Sequence, residues 1–338
     1  MLKPYLREVS RGRRRARDLT YEEAVRAMDA LIRGEYTDAQ AGAFLVAERM
    51  KTESADEIRG FVDALRAASR IEPVGGGLHC AGPFDGRVRS FVATFPAAFV
   101  LSASGVPVTL PSCFRLPPKQ GITLLDLERE ARGRARTANP KVPPLPPSAA
   151  RVRIVDAEEW CPPLARFRPI REELGMRTLF NTVEKLLRFT DASYLAVGIY
   201  HGTVFGTLAE ALKGMGLERA LIVQGIEGSE DLPVDKRARC LLVTAETVEE
   251  LLVDPAGYGL SAEMPETEWT AERQVETAER ALAGGAEAPW QNMTLLNSGV
   301  RLWLAGKAES IAAGIETARE TIRDGRAWAA YAAWRSAG

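Results

Sequence analysis

Three consecutive glycines at positions 75–77 divide this 338-residue chain into two parts with different sequence patterns. Glycine adopts backbone conformations that other residues avoid, so such a run interrupts regular structure and predicts a hinge between two domains. Before the glycines, a Ser or Thr stands three positions ahead of Glu or Gln at three places, each followed by an amphipathic segment. Each pair is a capping box, which predicts the start of a short helix. The pairs are Thr20 with Glu23, Thr37 with Gln40, and Ser54 with Glu57.

After the glycines, short apolar runs alternate with helical segments. The run at 91–111 predicts a buried helix followed by a strand, and 204–215 and 246–252 predict further helices. The apolar runs lack the alternation of a half-exposed strand, which is typical of strands covered on both faces. Alternation of such strands with helices implies a mostly parallel sheet with right-handed crossovers. Strands are expected at 106–110, 194–199, 220–223 and 240–243.

Together these patterns predict an α/β protein with a small N-terminal helical domain and a larger α/β domain built on a mostly parallel sheet. A chain of 338 residues is long enough to give each domain its own core. We place the helical domain at residues 1–74, joined by a helical return segment at about 160–190. The α/β domain takes residues 78–159 and 191–338 and ends in helices.

Composition narrows the possible partners and the cellular compartment. The formal net charge is −1, so no global field draws the chain to nucleic acid or to an acidic membrane. The four cysteines form no CxxC pair, which argues against a zinc site or a disulfide framework and fits a reducing cytosol. The N-terminus lacks a signal peptide, and Pro96 and Gly105 interrupt the most apolar run. We therefore expect a cytoplasmic protein without a membrane span.

Two segments are locally basic. Residues 1–20 form an arm with an excess of five positive charges, and residues 129–153 form a proline-rich excursion over the surface. Such segments either contact phosphates or are simply solvated, and both interpretations stay open. The basic residues are Lys3, Arg7, Arg11, Arg13, Arg14, Arg15 and Arg17 in the arm, and Arg129, Arg132, Arg134, Arg136, Lys141, Arg151 and Arg153 in the excursion. The prolines of the excursion are Pro140, Pro143, Pro144, Pro146 and Pro147.

Several segments in order resemble anthranilate phosphoribosyltransferase and the wider glycosyltransferase family 3. They include "LTYEEAVRAMDALIRGEYTDAQAGAFLVAERM", "RPIREELGMRTLFNTVEKLL", "VGIYHGTVFGTLAEALKGMGLERALIVQGIEGSEDLP" and "AGKAESIAAGIETARETIRDG". The resemblance implies the nucleoside phosphorylase/phosphoribosyltransferase fold and a homodimer formed through the helical domain. It also implies transfer of a phosphoribosyl group from its pyrophosphate to an aromatic amine, with backbone amides and Mg²⁺ holding the pyrophosphate.

The resemblance assigns the donor site to the loop "AGPFDGR" and the residues after it. Gly82, Asp85 and Gly86 keep the form of the family's glycine-rich pyrophosphate loop, whereas Pro83 removes an amide donor and Phe84 adds bulk. In the stretch that follows, Thr94 keeps a hydroxyl. Lys119 aligns with a family lysine, and the new cations Arg87 and Arg89 are candidates to replace lost phosphate contacts.

Three more residues correspond to functional positions of the family. Arg171 matches the arginine that holds the acceptor's carboxylate, although a helix-end arginine paired with a neighbouring Glu is an equal alternative. Glu230 and Asp231 take the place of an acidic pair that helps to hold Mg²⁺, in reversed order. A solvated acidic turn would give the same pattern.

Two hypotheses follow. The first is a diverged phosphoribosyl or pentosyl transferase that binds a phosphorylated ligand in the interdomain cleft, with its standard donor site degraded and anthranilate activity not expected. The second is a non-catalytic homodimer that binds nucleic acid, as members of one branch of the family do. The altered loop and the Pro-Pro-Lys segment at 117–119 resemble that branch, and the two basic segments would supply phosphate contacts.

Overall fold

The computed structural model describes residues 1–12, 15–137 and 151–337. The helices are α1 (Lys3–Val9), α2 (Tyr21–Ile32), α3 (Asp38–Lys51), α4 (Ala55–Ala67), α5 (Thr94–Ala103), α6 (Leu124–Thr137), α7 (Ala157–Trp160), α8 (Pro162–Leu174), α9 (Phe180–Val183), α10 (Phe205–Lys213), α11 (Ala271–Leu282), α12 (Ala288–Leu304), α13 (Ile311–Arg323) and α14 (Arg326–Ser336). The strands are β1 (Leu78–Ala81), β2 (Val108–Ser112), β3 (Val152–Asp156), β4 (Tyr194–Gly198), β5 (Arg219–Val223), β6 (Ala238–Val243) and β7 (Val248–Val253).

The three capping boxes are confirmed, and each opens a helix of the N-terminal part. At the start of α2 the Thr20 backbone amide donates to Glu23 Oε2 at 3.0 Å, while the Glu23 amide donates to the Thr20 hydroxyl at 3.3 Å. Helices α2 and α4 then pack closely because Gly60 has no side chain. A Cβ on Gly60 would lie 2.7 Å from both the Cβ of Ala24 and the carbonyl oxygen of Tyr21.

The sheet has the strand order β3-β2-β1-β4-β5-β6-β7. Strands β1 to β5 pair in parallel, and β6 and β7 add two antiparallel pairings at one edge, so the predicted mostly parallel sheet is confirmed. The chain runs from β1 outward to β3 and then returns to β4 on the other side of β1. This reversal between β1 and β4 is a topological switch point, where open α/β sheets leave a crevice at the carboxyl ends of their strands.

Each face of the sheet is covered by a separate apolar cluster. On one face, residues such as Phe95, Leu221 and Val300 pack with α5, α6 and the C-terminal helices. On the other face, Leu195 and Ile222 pack with α1 to α4 and with α7 to α10. The helical domain and the return segment therefore share one core above the carboxyl ends of β1 and β4. The division at residues 74, 159 and 191 stays a prediction.

The helix predicted at 246–252 is wrong, because residues 248–252 belong to strand β7. Its Glu and Leu residues favour a helix in isolation, but antiparallel pairing with β6 outweighs that preference. Across the two strands, Arg239 Nε donates to Glu250 Oε1 at 2.6 Å, an exposed cross-strand pair of opposite charge. Leu252 also lies on this edge strand and is 57% exposed.

All three glycines at 75–77 have positive φ angles, between 73° and 103°. Gly77 approaches the next loop so closely that a Cβ would lie 2.4 Å from the carbonyl oxygen of Pro107. The Asp191 carboxylate accepts hydrogen bonds from the amides of Val74 and Gly75. The segment therefore needs glycine for its geometry, while the hinge stays a prediction.

In the part of the chain that the structure describes, the helices are all too short or too polar to cross a bilayer. Arg13, Arg14, Lys141 and the five prolines of the excursion lie outside the described residues, as does the side chain of Arg136.

The close contact of α2 and α4 gives a test with a matched control. Replacing Gly60 by Ala should lower the free energy of unfolding by about 1–3 kcal/mol, since the added methyl group overpacks this contact. Gly133 lies inside α6 with open space around its Cα, so the same replacement there should raise that free energy by about 0.5–1 kcal/mol. Urea unfolding would measure both, and a stabilised Gly60→Ala variant would contradict the packing described.

Candidate functional site

A cavity of about 130 Å³ lies at the switch point, between the helical domain and the carboxyl ends of β1 and β4. That volume is close to the roughly 150 Å³ of an engineered cavity that binds benzene, so it has room for one ring or one phosphate group. Its walls combine apolar and charged side chains. Residues that line it include Arg49, Glu53, Ile58, Phe84, Asp85, Arg177, Lys185, Tyr200, His201, Leu208 and Glu227.

The glycine-rich loop after β1 is a tight turn against the cavity. The Gly86 amide donates to the Pro83 carbonyl at 3.0 Å, and Gly86 has a φ of 78°. A Cβ at Gly86 would lie 2.5 Å from the carbonyl of Gly121, and one at Gly82 would lie 2.9 Å from Glu230 Oε2. The loop therefore keeps two glycines because neighbouring backbone and an acidic side chain pack directly against it.

Asp85 is buried in this loop and already has two cationic partners. Arg177 Nη2 donates to Asp85 Oδ2 at 2.7 Å, and Lys119 Nζ lies 3.4 Å from Asp85 Oδ1. Lys119 also lies 3.7 Å from Glu227 Oε2. The structure thus brings Asp85 and Lys119 together as predicted candidates, but it places them in contact with each other and with a further carboxylate.

A buried ion-pair network lies behind the loop and is centred on Asp231. Arg87 Nη2 donates to Asp231 Oδ2, and Arg301 Nη2 donates to Asp231 Oδ1 at 2.9 Å. The Thr94 hydroxyl lies 2.7 Å from Asp231 Oδ1 and accepts a hydrogen bond from Arg301 at 2.8 Å. Glu230 Oε1 lies beside the same hydroxyl, so the five side chains form one network with almost no contact to solvent.

The network fixes Asp231 in its charged form. Burial raises the pKa of Asp231, but attraction to Arg87 and Arg301 outweighs burial and holds the pKa of this carboxyl below its ordinary value. Two guanidinium groups and one hydroxyl therefore use the oxygens that a cation would need.

These residues do not fit Mg²⁺. A divalent ion at Asp231 would have to displace Arg87 and Arg301, which are held in place by further bonds to Ser90 and Asn297. Mg²⁺ also requires near-octahedral oxygen ligands, and residues 1–12, 15–137 and 151–337 contain no group of three or more acidic, His or Cys side chains placed to hold a metal. Glu230 Oε2 is buried without a hydrogen-bond partner, but it is a single oxygen.

Arg171 forms a buried bidentate pair with Glu184. The two Nη–Oε distances are 2.7 and 3.2 Å, and Arg171 is 2% exposed while Glu184 is fully buried. A carboxylate of the chain itself therefore occupies the fork that the resemblance assigns to the acceptor's carboxylate. Arg89, in contrast, is exposed.

Lys185 lines the cavity beside Glu184, and its ammonium group donates to the carbonyl oxygens of Gly198 at 2.9 Å and Gly228 at 3.4 Å. A protonated amine has three donors, so one proton is left for a ligand. Burial lowers the pKa of Lys185 to about 8, so the side chain is mostly charged at neutral pH.

Five of the ten described cations in the two basic segments pair with nearby carboxylates. In the arm, Arg17 bonds Glu8 and Glu23, and Arg11 bonds Glu8, while Lys3, Arg7 and Arg15 are exposed. The excursion predicted at 129–153 is wrong at both ends, because residues 129–137 belong to helix α6 and residues 152–153 to strand β3. In these two elements, ion pairs join Arg132 to Glu128, Arg134 to Glu279, and Arg153 to Glu72. Arg129 lies over the ring of Phe114, and Arg151 is exposed.

Five residues that shape this site are not predicted from the sequence: Arg177, Arg301, Glu184, Lys185 and Glu227. Arg301 gives a signal in the sequence, because it is a lone charge inside the apolar stretch "NSGVRLWL". Glu184 and Lys185 interrupt the apolar run "TLFNTVEKLL" in the same way. Glu227 gives none, since its partners lie more than 100 positions earlier in the chain.

Comparison with known proteins assigns the family. A profile described as the helical bundle domain of a glycosyl transferase family matches residues 3–69, and the a/b domain profile of the same family matches residues 147–328. A protein of Natronomonas pharaonis named anthranilate phosphoribosyltransferase is 33% identical over 99% of both chains. The chain belongs to glycosyltransferase family 3. An uncharacterized protein of Aquifex aeolicus is 28% identical over 93% of this chain and 97% of its own length.

Solved structures agree with this membership of the glycosyltransferase family. Anthranilate phosphoribosyltransferase from Thermus thermophilus superimposes with a TM-score of 0.77 at 25% identity, covering 99% of both chains. The Saccharomyces cerevisiae enzyme, in a complex with PRPP and Mg, gives a TM-score of 0.76 at 18% identity, covering 98% of this chain and 95% of that one, which is a likeness of fold alone. The predicted family and fold class are thereby confirmed.

Proposed function

We propose that this protein binds a small phosphorylated molecule in the interdomain cleft and does not transfer a phosphoribosyl group from phosphoribosyl pyrophosphate to anthranilate. One observation carries the proposal. The candidate cations of the donor and acceptor sites are each paired with a carboxylate of the chain. Arg171 pairs with Glu184, Lys119 pairs with Asp85 and Glu227, and the new cation Arg87 pairs with Asp231.

The pairing of Arg171 argues against anthranilate as acceptor. A substrate carboxylate could reach this arginine only by displacing Glu184, which is fully buried. Breaking a buried ion pair and leaving one charge uncompensated costs about 3–5 kcal/mol, enough to lower affinity by a factor of roughly one hundred to several thousand.

The donor side is closed in the same way. Pyrophosphate with Mg²⁺ needs open carboxylates and amide donors, but Asp231 is saturated by two arginines and Pro83 has no amide hydrogen. Thr94 keeps its hydroxyl in the segment after the loop, but this hydroxyl already accepts a hydrogen bond from Arg301 inside the buried network. The relatives named anthranilate phosphoribosyltransferase therefore share the fold with this chain, and we do not extend their activity to it.

The cavity itself supports binding of an anion. Lys185 and Arg177 line it together with Arg49, His201 and the apolar side chains of the helical domain. Lys185 has a proton left for a ligand, and Arg177 also lies 6.0 Å from the ring centroid of Tyr200. Cations beside an aromatic wall suit a phosphorylated molecule with a planar or apolar part.

The absence of transfer is testable directly. We expect no phosphoribosylated anthranilate from anthranilate, phosphoribosyl pyrophosphate and Mg²⁺, because both substrate sites hold resident carboxylates. A coupled fluorescence assay that follows the loss of anthranilate would measure it, with the Natronomonas pharaonis relative as the positive control. Turnover at a rate near that of the relative would refute the proposal.

Ligand binding should depend on pH through Lys185. Its pKa is lowered to about 8, so the ammonium charge is present below pH 8 and lost as the pH rises through it. We expect the affinity for ribose 5-phosphate, whose phosphate is already doubly charged above pH 7, to fall between pH 7 and 9. The Lys185→Arg variant, charged at both pH values, should show a flat profile by calorimetry. No binding by the unmodified protein at pH 7, or an equal decline in both proteins, would contradict this role.

We also propose a homodimer through the helical domain. Helix α3 is apolar on both sides, because Ala41, Phe44 and Leu45 face the core while its outer face carries a second stripe. That stripe repeats at helical spacing and consists of Ala39, Ala43, Val46 and Met50, the last 75% exposed.

Light scattering should give twice the mass of the chain, and Ala43→Glu should give a monomer because the charge enters the stripe. Ala256→Glu, a change at an exposed position of the α/β domain, should leave the dimer intact. A monomeric unmodified protein would overturn the proposed dimer.

The nucleic-acid-binding homodimer is the second hypothesis, and the described ion pairs of the two basic segments give it less support. An affinity for single-stranded DNA that falls steeply with salt and disappears on removal of residues 1–17 would favour it instead.

A further inference from the structure

Three hydrogen-bond donors just after the glycine-rich loop converge on one carboxylate. The Arg89 amide and the Ser90 hydroxyl donate to Glu227 Oε1 at 2.9 and 2.7 Å. The Val88 amide lies 3.3 and 3.2 Å from the two oxygens of the same carboxylate. Lys119 Nζ lies 3.7 Å from Glu227 Oε2 and donates to the Glu227 carbonyl at 3.4 Å. Two successive amides, a hydroxyl and an ammonium group therefore surround a single oxyanion.

This combination of donors is one that proteins use for phosphate and similar anions. Successive backbone amides form anion-binding concavities, and a lysine adds charge without strict geometry. The carboxylate here is held as an anion. Burial raises the pKa of Glu227, but the Ser90 hydroxyl, the Arg89 amide and the charges of Arg87 and Lys119 outweigh it and keep the pKa below its ordinary value.

The backbone of Glu227 is strained in the position that delivers the carboxylate. Its φ of 54° and ψ of 24° lie in the left-handed region, which costs a residue with a side chain about 1–2 kcal/mol. The strain opposes the contact, so the donors of residues 88–90 must more than offset it. Glu227 also lines the cavity, which gives its side chain a place to move when another anion takes these donors.

We propose that residues 88–90 and Lys119 form an oxyanion site that Glu227 occupies, and that the phosphate group of the cleft ligand binds there by displacing the Glu227 carboxylate. The phosphorylated nature of that ligand rests on the function proposed above. The site takes a phosphate or sulfate group through the amides of Val88 and Arg89, the Ser90 hydroxyl and the Lys119 ammonium. Asp85 stays paired with Arg177 and keeps Lys119 in position.

Displacement makes Glu227 an internal competitor. A ligand has to exchange one anion for another, so the affinity of the unmodified protein for a bare phosphate ion is low, and only a ligand with further contacts in the cavity overcomes the competition. Removing the carboxylate while leaving the donors in place should therefore create a strong phosphate site.

The test is calorimetric titration of inorganic phosphate into the full-length protein and its variants. Glu227→Gly removes the carboxylate and suits the positive φ, and we expect it to bind phosphate at least tenfold more tightly than the unmodified protein. Glu227→Gln keeps the shape of the side chain but removes its charge, so it should give a smaller gain. Glu246→Gly makes the same change of net charge at an exposed residue and should give none.

Two further measurements locate the site. Adding Lys119→Met to the Glu227→Gly variant should return phosphate affinity to the level of the unmodified protein, and phosphate should shift the amide resonances of Val88 and Arg89. The inference is overturned if neither Glu227 variant gains affinity, if the gain survives the loss of Lys119, or if Glu246→Gly gains as much. If Glu227→Gly does not fold, the Glu227→Gln titration decides alone. Failure of the unmodified protein to bind ribose 5-phosphate would refute the proposed function but would leave these outcomes unchanged.

Discussion

The buried charge of Asp231 is the constraint on which the cleft depends. An unpaired carboxylate cannot stay charged in an apolar interior, and here Arg87 and Arg301 compensate it from two different parts of the chain. Arg87 comes from the segment after β1, and Arg301 comes from α12 beneath the sheet. The pairing therefore fastens the glycine-rich loop, the acidic turn and a C-terminal helix together.

The other features of the cleft follow the same rule. Some relatives with this fold are named for transfer of a phosphoribosyl group. In this chain, carboxylates of the chain itself lie at positions suited to anions. Glu184 lies in the fork of Arg171, Asp85 lies between Arg177 and Lys119, and Glu227 faces the donors of residues 88–90. Close packing explains why this loop has glycine at positions 82 and 86. A side chain at Gly82 would collide with Glu230, and one at Gly86 would collide with Gly121, whatever the ligand.

Most of the fold could be predicted from the sequence because its signals are local. The capping boxes of α2, α3 and α4 lie within four residues, and the buried strands are continuous apolar runs. The strand at Val248–Val253 could not, because its residues favour a helix until β6 pairs with them. The site was less predictable for a related reason. The sequence identifies three cations of the site, Arg87, Lys119 and Arg171. Distant segments supply the carboxylates that neutralise Arg87 and Lys119, whereas Glu184 comes 13 residues after Arg171, beyond a loop.

The bidentate pair of Arg171 and Glu184 also constrains how the lineage could change. Replacing either residue alone leaves a lone charge in the interior, at a cost of about 3–5 kcal/mol, against a total stability of roughly 5–15 kcal/mol for a folded domain. Either single replacement therefore gives a poorly folded protein, although replacing both residues together would be tolerated. Buried self-neutralisation thus couples two positions that lie 13 residues apart, so that they can change together but not one at a time.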